Sequence, residues 1–198
     1  MKYRKIAVTG GIGSGKSLFC KILKELGYVV LNADEIAKQL MKNDLTIREN
    51  LVAAFGDDAF TDGTLNKPYL AKIVFNNPDN LKLINSIVHP ATITHSKNLI
   101  EEYLKNNTIV FYEAALIFEA DMTNLFDYIV LITAPEELRI QRILTRDVIT
   151  ADSVQARIKN QMDELIKMSK ADYIVNNIGT IEELKVEAGT LVTKILRE

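Results

Sequence analysis

The residues best equipped for chemistry stand together near the amino terminus, in the stretch GGIGSGKS from Gly10 to Ser17. Four glycines fall in six positions, and a lysine and a hydroxyl follow directly. Glycine loses more conformational freedom on folding than any other residue, so the cluster implies a backbone path that side chains would block. The stretch fits G-x-x-x-x-G-K-[ST], with Gly10, Gly15, Lys16 and Ser17 in the fixed positions. Successive amides in such a loop turn inward around phosphate oxygens, at the positive end of the helix that follows. Gly10, Gly11, Ile12, Gly13, Ser14, Gly15, Lys16 and Ser17 are therefore the candidate residues for binding a nucleoside triphosphate. Lys16 can neutralise the outer phosphates, and Ser17 can ligate Mg²⁺.

Phosphoryl transfer to a small acceptor also needs a group that takes the acceptor's proton and cations that follow the migrating charge. Asp34, in NADEIAKQL, lies at the carboxyl end of an apolar run, where a strand beside the first would aim it at the terminal phosphate. On spacing alone a second reading stands equally: Asn32 caps the next helix with Glu35 as its partner, and Asp34 is a first-turn acid that favours the helix dipole. In EELRIQRILTRD, Arg139, Arg142 and Arg146 recur at intervals of three and four and so share a helical face. Three planar guanidiniums make a good phosphate clamp. Arg139 has Glu136 one turn earlier and reads as part of a solvated face, whereas Arg142 and Arg146 have no acidic partner at that spacing. Arg157 and Gln161 repeat the four-residue interval on the following helix. Glu113, ending an apolar run, is either an acid behind the Mg²⁺ site or a strand terminator.

The elements that must position these groups alternate. Five continuously apolar, β-branched runs read as strands buried on both faces: Ile6 to Val8, Tyr28 to Leu31, Ile109 to Tyr112, Tyr128 to Ile132 and Tyr173 to Val175. Helical patterns lie between them, which argues for an α/β fold with a five-stranded parallel sheet. The first helix presents Phe19, Ile22, Leu23 and Leu26 and ends at Gly27; the last opens on Thr180 and Glu183 in a capping-box pattern. The connection from Asp34 to Asn107 is too long for one crossover helix and predicts a helical acceptor-binding insertion over 34–107. A smaller excursion over 135–170 predicts a lid, which leaves 1–33, 108–134 and 171–198 as the nucleotide-binding core.

The composition narrows the classes. The chain has 198 residues, 47% of them hydrophobic and 25% charged, with a net charge of −2. This is an ordinary globular balance without a general pull toward nucleic acid or an anionic membrane. The apolar run after Lys5 is broken at once by glycines, and no apolar segment approaches the roughly 20 residues needed to span a bilayer, so a cytoplasmic protein is expected. Cys20, the one cysteine, reads as a packing residue. A GTP-dependent switch should carry D-x-x-G and N-K-x-D; no glycine has an aspartate three positions earlier, and Asn66-Lys67 continues as Pro68-Tyr69. A kinase for a small acceptor is the favoured class. A nucleotide-gated binding module is the alternative from another class.

In order and spacing, VTGGIGSGKS, NADEIAKQL, IVHP, EAALIFEA, QRILTRD, ARIKNQ and ADYIVNNIG resemble the motifs of the dephospho-coenzyme A kinase family over nearly the whole chain. The resemblance implies a P-loop kinase fold and transfer of phosphate from Mg-ATP to the 3′-hydroxyl of dephospho-CoA, with a nucleoside monophosphate or shikimate as the alternative acceptor. It assigns Asp34 as the base on the acceptor hydroxyl and Arg142 and Arg146 to the lid beside the transferring phosphate. His89 matches a histidine of the acceptor lobe; its residue-level alternative is a helix terminator before Pro90. Asn176 to Gly179 match the turn near the adenine, so Asn176 and Gly179 join the nucleotide-binding candidates. The implied partners are ATP and dephospho-CoA, without nucleic acid or membrane, in a monomer or weak homo-oligomer. Three positions depart from the family pattern: Asn32 replaces the first acid of a D-A-D segment, Ala115 stands where proline is usual, and Asn176 replaces a common aspartate.

Overall fold

The computed structural model describes residues 3–75 and 77–198. In chain order these form β1 (Arg4–Thr9), α1 (Lys16–Glu25), β2 (Val29–Asn32), α2 (Ala33–Asn43), α3 (Leu45–Phe55), β3 (Phe60–Thr61), β4 (Thr64–Leu65), α4 (Lys67–Phe75) and α5 (Pro78–Leu104). There follow β5 (Ile109–Glu113), β6 (Tyr128–Thr133), α6 (Glu136–Arg146), α7 (Ala151–Lys159), α8 (Glu164–Lys170), β7 (Tyr173–Asn176) and α9 (Ile181–Arg197). The chain divides into two compact units, one made of the segment up to Leu31 with Glu102–Glu198, the other of Asn32–Glu101.

The first unit is built on the five-stranded parallel sheet, in the order β2-β5-β1-β6-β7. Alternate residues of each central strand enter opposite faces, and both sets are buried: Ile6, Val8, Phe111, Val130 and Ile132 on one side, Ala7, Tyr112 and Leu131 on the other. A strand covered on both faces has no polar positions to alternate, which is why these runs read as continuously apolar. On the first face, α1 contributes Phe19, Cys20, Ile22 and Leu23, and α9 contributes Leu184, Ala188, Leu191, Val192 and Ile195 to one cluster. Each large side chain so buried stabilises the unit by about 1.5–3 kcal/mol before entropy is counted. Leu26, expected on the same stripe, is instead 48% exposed, because the helix ends at Glu25 and Gly27 turns the chain with φ +89°. The capping box of α9 is complete: Thr180 Oγ1 accepts from Glu183 N–H, and Glu183 returns a carboxylate oxygen to the Thr180 N–H at 2.7 Å.

The second unit holds α2, α3, α4, most of α5 and the short hairpin β3–β4 around Ile47, Leu51, Phe55, Ala59, Leu70 and Val88. Pro90 does not end its helix. α5 runs 27 residues straight through Pro90, so the reading of His89 as a helix terminator is overturned. Pro90 has no N–H to give the carbonyl four residues earlier, and the helix survives because turns on both sides of it pack. One of them is secured by the buried Thr92 hydroxyl, which donates to the Val88 carbonyl at 2.8 Å. Among the described residues no helix is long and apolar enough to cross a membrane.

Candidate functional site

β1 is the central strand, and its register with β5 sets Val8 opposite Glu113. The glycine-rich loop leaves β1 directly afterwards, so sheet pairing alone delivers a carboxylate to the foot of the loop. Lys16 Nζ and Ser17 Oγ both donate to Glu113 Oε1, each at 2.8 Å. The Lys16 and Glu113 side chains are only 15% and 6% exposed, so this charge-assisted contact is little screened by solvent. Thr9 Oγ1 donates to the Ala115 carbonyl at 3.3 Å, tying the start of the loop to the segment after β5. Ala115, one of the departures from the family pattern, thus contributes through its backbone. One turn along α1, burial pushes the Cys20 thiol well above its ordinary pKa and the Glu113 charge adds to the effect, which leaves a protonated packing residue.

The loop is gripped from outside as well. Gly15 has φ +91°, and a Cβ there would overlap the side-chain nitrogen of Asn177. That nitrogen donates to the Ser14 carbonyl at 2.8 Å in a buried contact, while the Asn177 backbone N–H donates to Thr133 at the end of β6. Arg142 Nη2 in turn donates to the Asn177 carbonyl at 2.9 Å, and its Nη1 is buried without a hydrogen-bond partner among the described residues. A buried guanidinium nitrogen lacking an acceptor is expensive unless a ligand supplies one. Gly11 is close-approached in the same way, its missing Cβ being replaced by the Arg139 guanidinium.

Arg139 is a correction to the expected solvated face. It is 4% exposed, with Glu136 at 3.8 Å and Glu164 at 3.6 Å. The reason is packing: α6 starts soon after β6, and its first turn lies against the loop at Gly11 and Gly13. Arg146 at the far end of the helix is 67% exposed and paired with Asp147 through Nε at 2.8 Å and Nη2 at 2.7 Å. This pair raises the Arg146 pKa and lowers that of Asp147. Asn176, the last residue of β7, is exposed. Gly179 lies against the Glu183 carboxylate that closes the α9 cap. Sequence reasoning placed Asn177 within the turn from Asn176 to Gly179 but missed its bond to the loop; the signal was a second amide side chain immediately after the strand.

Two candidates belong to the second unit. Asp34 is exposed in the first turn of α2, which Asn32 caps by accepting the Glu35 N–H at 3.0 Å. The capping reading of Asn32 therefore holds with Asp34 as a first-turn acid, and β2 pairs with β5 at the sheet edge, so the expected strand beside the first is not the one that precedes Asp34. Glu35 pairs with Lys38 at 2.7 Å, which lowers its own pKa and raises that of Lys38. His89 is half-buried on α5.

Comparison with known proteins decides the family. The family described as CoaE, dephospho-CoA kinase, matches residues 4–183. The chain belongs to the dephospho-CoA kinase family. A dephospho-CoA kinase of Carboxydothermus hydrogenoformans is 35% identical over 191 residues, 96% of this chain and 93% of the relative. Among solved structures, TT1252 from Thermus thermophilus superposes with a TM-score of 0.81 at 31% identity, covering 98% of each chain. Dephospho-CoA kinase from Campylobacter jejuni gives 0.75 at 28% identity, covering 96% of each. Membership in this family makes the glycine-rich stretch a kinase phosphate loop and the chain a phosphotransferase.

Proposed function

We propose that this chain transfers the terminal phosphoryl group of ATP to the 3′-hydroxyl of dephospho-CoA, releasing CoA and ADP. The observation that carries the reading is the loop from Gly10 to Ser17, with Lys16 and Ser17 gathered on one Glu113 oxygen, in a chain of this family. The loop amides and Lys16 bind the phosphates. Asp34 takes the proton of the acceptor hydroxyl as its oxygen bonds to the terminal phosphorus, and the bond from that phosphorus to the bridging oxygen breaks, its electron pair leaving with ADP. Arg142 and Arg146 meet the charge spread over the transferring group. The unpartnered Nη1 of Arg142 supports its part in this.

Mg²⁺ fits the donor set, since the Ser17 hydroxyl and the Glu113 carboxylate are hard oxygen donors in contact with one another. Ser17 would hold the ion with Glu113 behind it, and the ion would supply charge neutralisation between the outer phosphates. The segment 34–107 serves as acceptor lobe, with His89 on it, and 135–170 as a lid that excludes water. Asn176 and Gly179 lie on the adenine side. A cytoplasmic monomer or weak homo-oligomer completes the reading.

The test is ADP formation by the purified protein with Mg-ATP and a panel of acceptors: dephospho-CoA, nucleoside monophosphates and shikimate. Turnover with dephospho-CoA alone is the expected result; ADP released at the same slow rate with every acceptor would defeat it. Asp34→Asn should lower kcat by about 10²- to 10⁴-fold, the range of a general base, with KM for ATP within a few-fold. Near-normal turnover would remove Asp34 from the mechanism.

A further inference from the structure

One side chain outside the motif takes hold of the phosphate loop by its backbone. Gln161, just beyond the end of α7, accepts the Ile12 N–H through Oε1 at 2.9 Å. Ile12 lies between the two glycines that press on Arg139, at the turn of the loop farthest along the chain from both β1 and α1. A loop with glycine on both sides of a residue has little of its own to fix that residue's peptide plane, so an external acceptor decides where the amide points.

Gln161 is itself held. The next residue, Met162, donates its N–H to Glu119 Oε1 at 2.9 Å, and the same oxygen stands 3.5 Å from the ammonium of Lys167. Lys167 is 1% exposed and its ammonium has no hydrogen-bond partner among the described residues, so the Glu119 charge is what stabilises its burial. Three residues after Gln161, Glu164 pairs with Arg139, whose guanidinium packs on Gly11. The segment 161–167 therefore reaches the loop twice, once by hydrogen bond and once through a buried cation, and is anchored at its other side by the chain after β5.

We propose that Gln161 is a positioning residue that fixes the Ile12 peptide of the phosphate loop, so that the amides following it are aligned for the terminal phosphates of ATP before the nucleotide arrives. The inference rests on the kinase reading above. It assigns Gln161 no contact with substrate. Prealignment of this kind lowers the ordering that ATP binding must otherwise supply and keeps the loop in the geometry that transfer requires.

The experiment compares the full-length wild type with Gln161→Ala, which removes the acceptor, and Gln161→Glu, which keeps an oxygen at the same reach. Amide exchange of Ile12 is followed by NMR in the nucleotide-free protein, and kcat and KM are measured for ATP and dephospho-CoA separately. Gln161→Ala should accelerate Ile12 exchange at least tenfold and lower kcat/KM for ATP by about three- to tenfold, the scale of one net hydrogen bond. KM for dephospho-CoA should stay within twofold. Gln161→Glu should restore Ile12 protection toward the wild-type value. Unchanged Ile12 exchange in Gln161→Ala would overturn the proposal. So would faster exchange with unaltered ATP kinetics, or a fall in Tm alone, since those assign Gln161 to packing. Absence of dephospho-CoA-dependent turnover in the wild type would instead defeat the kinase reading, a failure visible without any variant.

Discussion

Gly15→Ala tests the claim that the phosphate loop is clamped from behind as well as filled from in front. Gly15 has φ +91°, and Gly27 at the end of α1 has φ +89°, so alanine meets nearly the same backbone penalty at both, about 1–2 kcal/mol. Their surroundings differ completely. Among the described residues nothing lies within 4 Å of a Cβ on Gly27, whereas one on Gly15 would overlap the Asn177 amide nitrogen. Asn177 must move, and its 2.8 Å bond to the Ser14 carbonyl is lost in a buried place. Leaving such a group unsatisfied costs about 1–3 kcal/mol more. Gly15→Ala should therefore destabilise by about 2–5 kcal/mol and Gly27→Ala by about 1–2 kcal/mol. Urea unfolding followed by far-UV circular dichroism gives both values, with the m-values checking that the comparison is between like transitions. Equal losses at the two sites would refute the clamp, because only the backbone term would then be present.

Arg139→Ala should destabilise by about 2 kcal/mol in the same assay, less than a fully buried pair would lose because Glu136 is 56% exposed and Glu164 22%. Adding Glu164→Gln should recover part of that loss, and strictly additive effects would show that the two do not interact. The α9 cap predicts an acid-sensitive contribution. The Thr180 backbone N–H, then its hydroxyl, hold the Glu183 pKa below its ordinary 4.5, so the stabilisation is fully present above that value and is lost as pH falls through the lower folded value. Stability profiles from pH 7 to pH 3 should therefore be flatter for Glu183→Gln than for the wild type on the acid limb, and parallel curves would contradict the cap's role.

The sheet was legible because its three central strands are buried on both faces; the edge strands depart from that expectation, β2 being buried only at Val30 and β7 only at Val175, with Ile174 37% exposed. Ile6 to Val8 and Ile129 to Ile132 have no solvent side, and strands covered on both faces by helices read as continuous apolar runs. The loop was legible because phosphate binding constrains residue type at fixed spacing. Pro90 misled, since its effect on a helix depends on whether neighbouring turns pack, and that is settled in three dimensions. Arg139 misled for a related reason: Glu136 one turn back is a true partner at 3.8 Å, yet the same spacing occurs on exposed and buried faces alike. Asn177 and the Ile12 contact of Gln161 bring together residues 163 and 149 positions apart, and no local pattern encodes such a meeting.

These long-range contacts also change what the glycine pattern means. A motif of this kind invites the inference that each glycine is small so that phosphate can come near. Here all four answer to protein groups as well, Gly10 to the Ile132 carbonyl, Gly11 to the Arg139 guanidinium, Gly13 to the Arg139 backbone and Gly15 to the Asn177 amide. The inner side needs amides that converge, and the outer side needs side chains to hold them convergent, so glycine is demanded from both directions. Arg139, Arg142, Gln161 and Asn177 all come from the segments after β6, which makes the carboxyl-terminal third of the chain the mould in which the amino-terminal loop is set. The path of the loop in this fold is thus held by contacts that lie more than 100 residues from the motif in sequence.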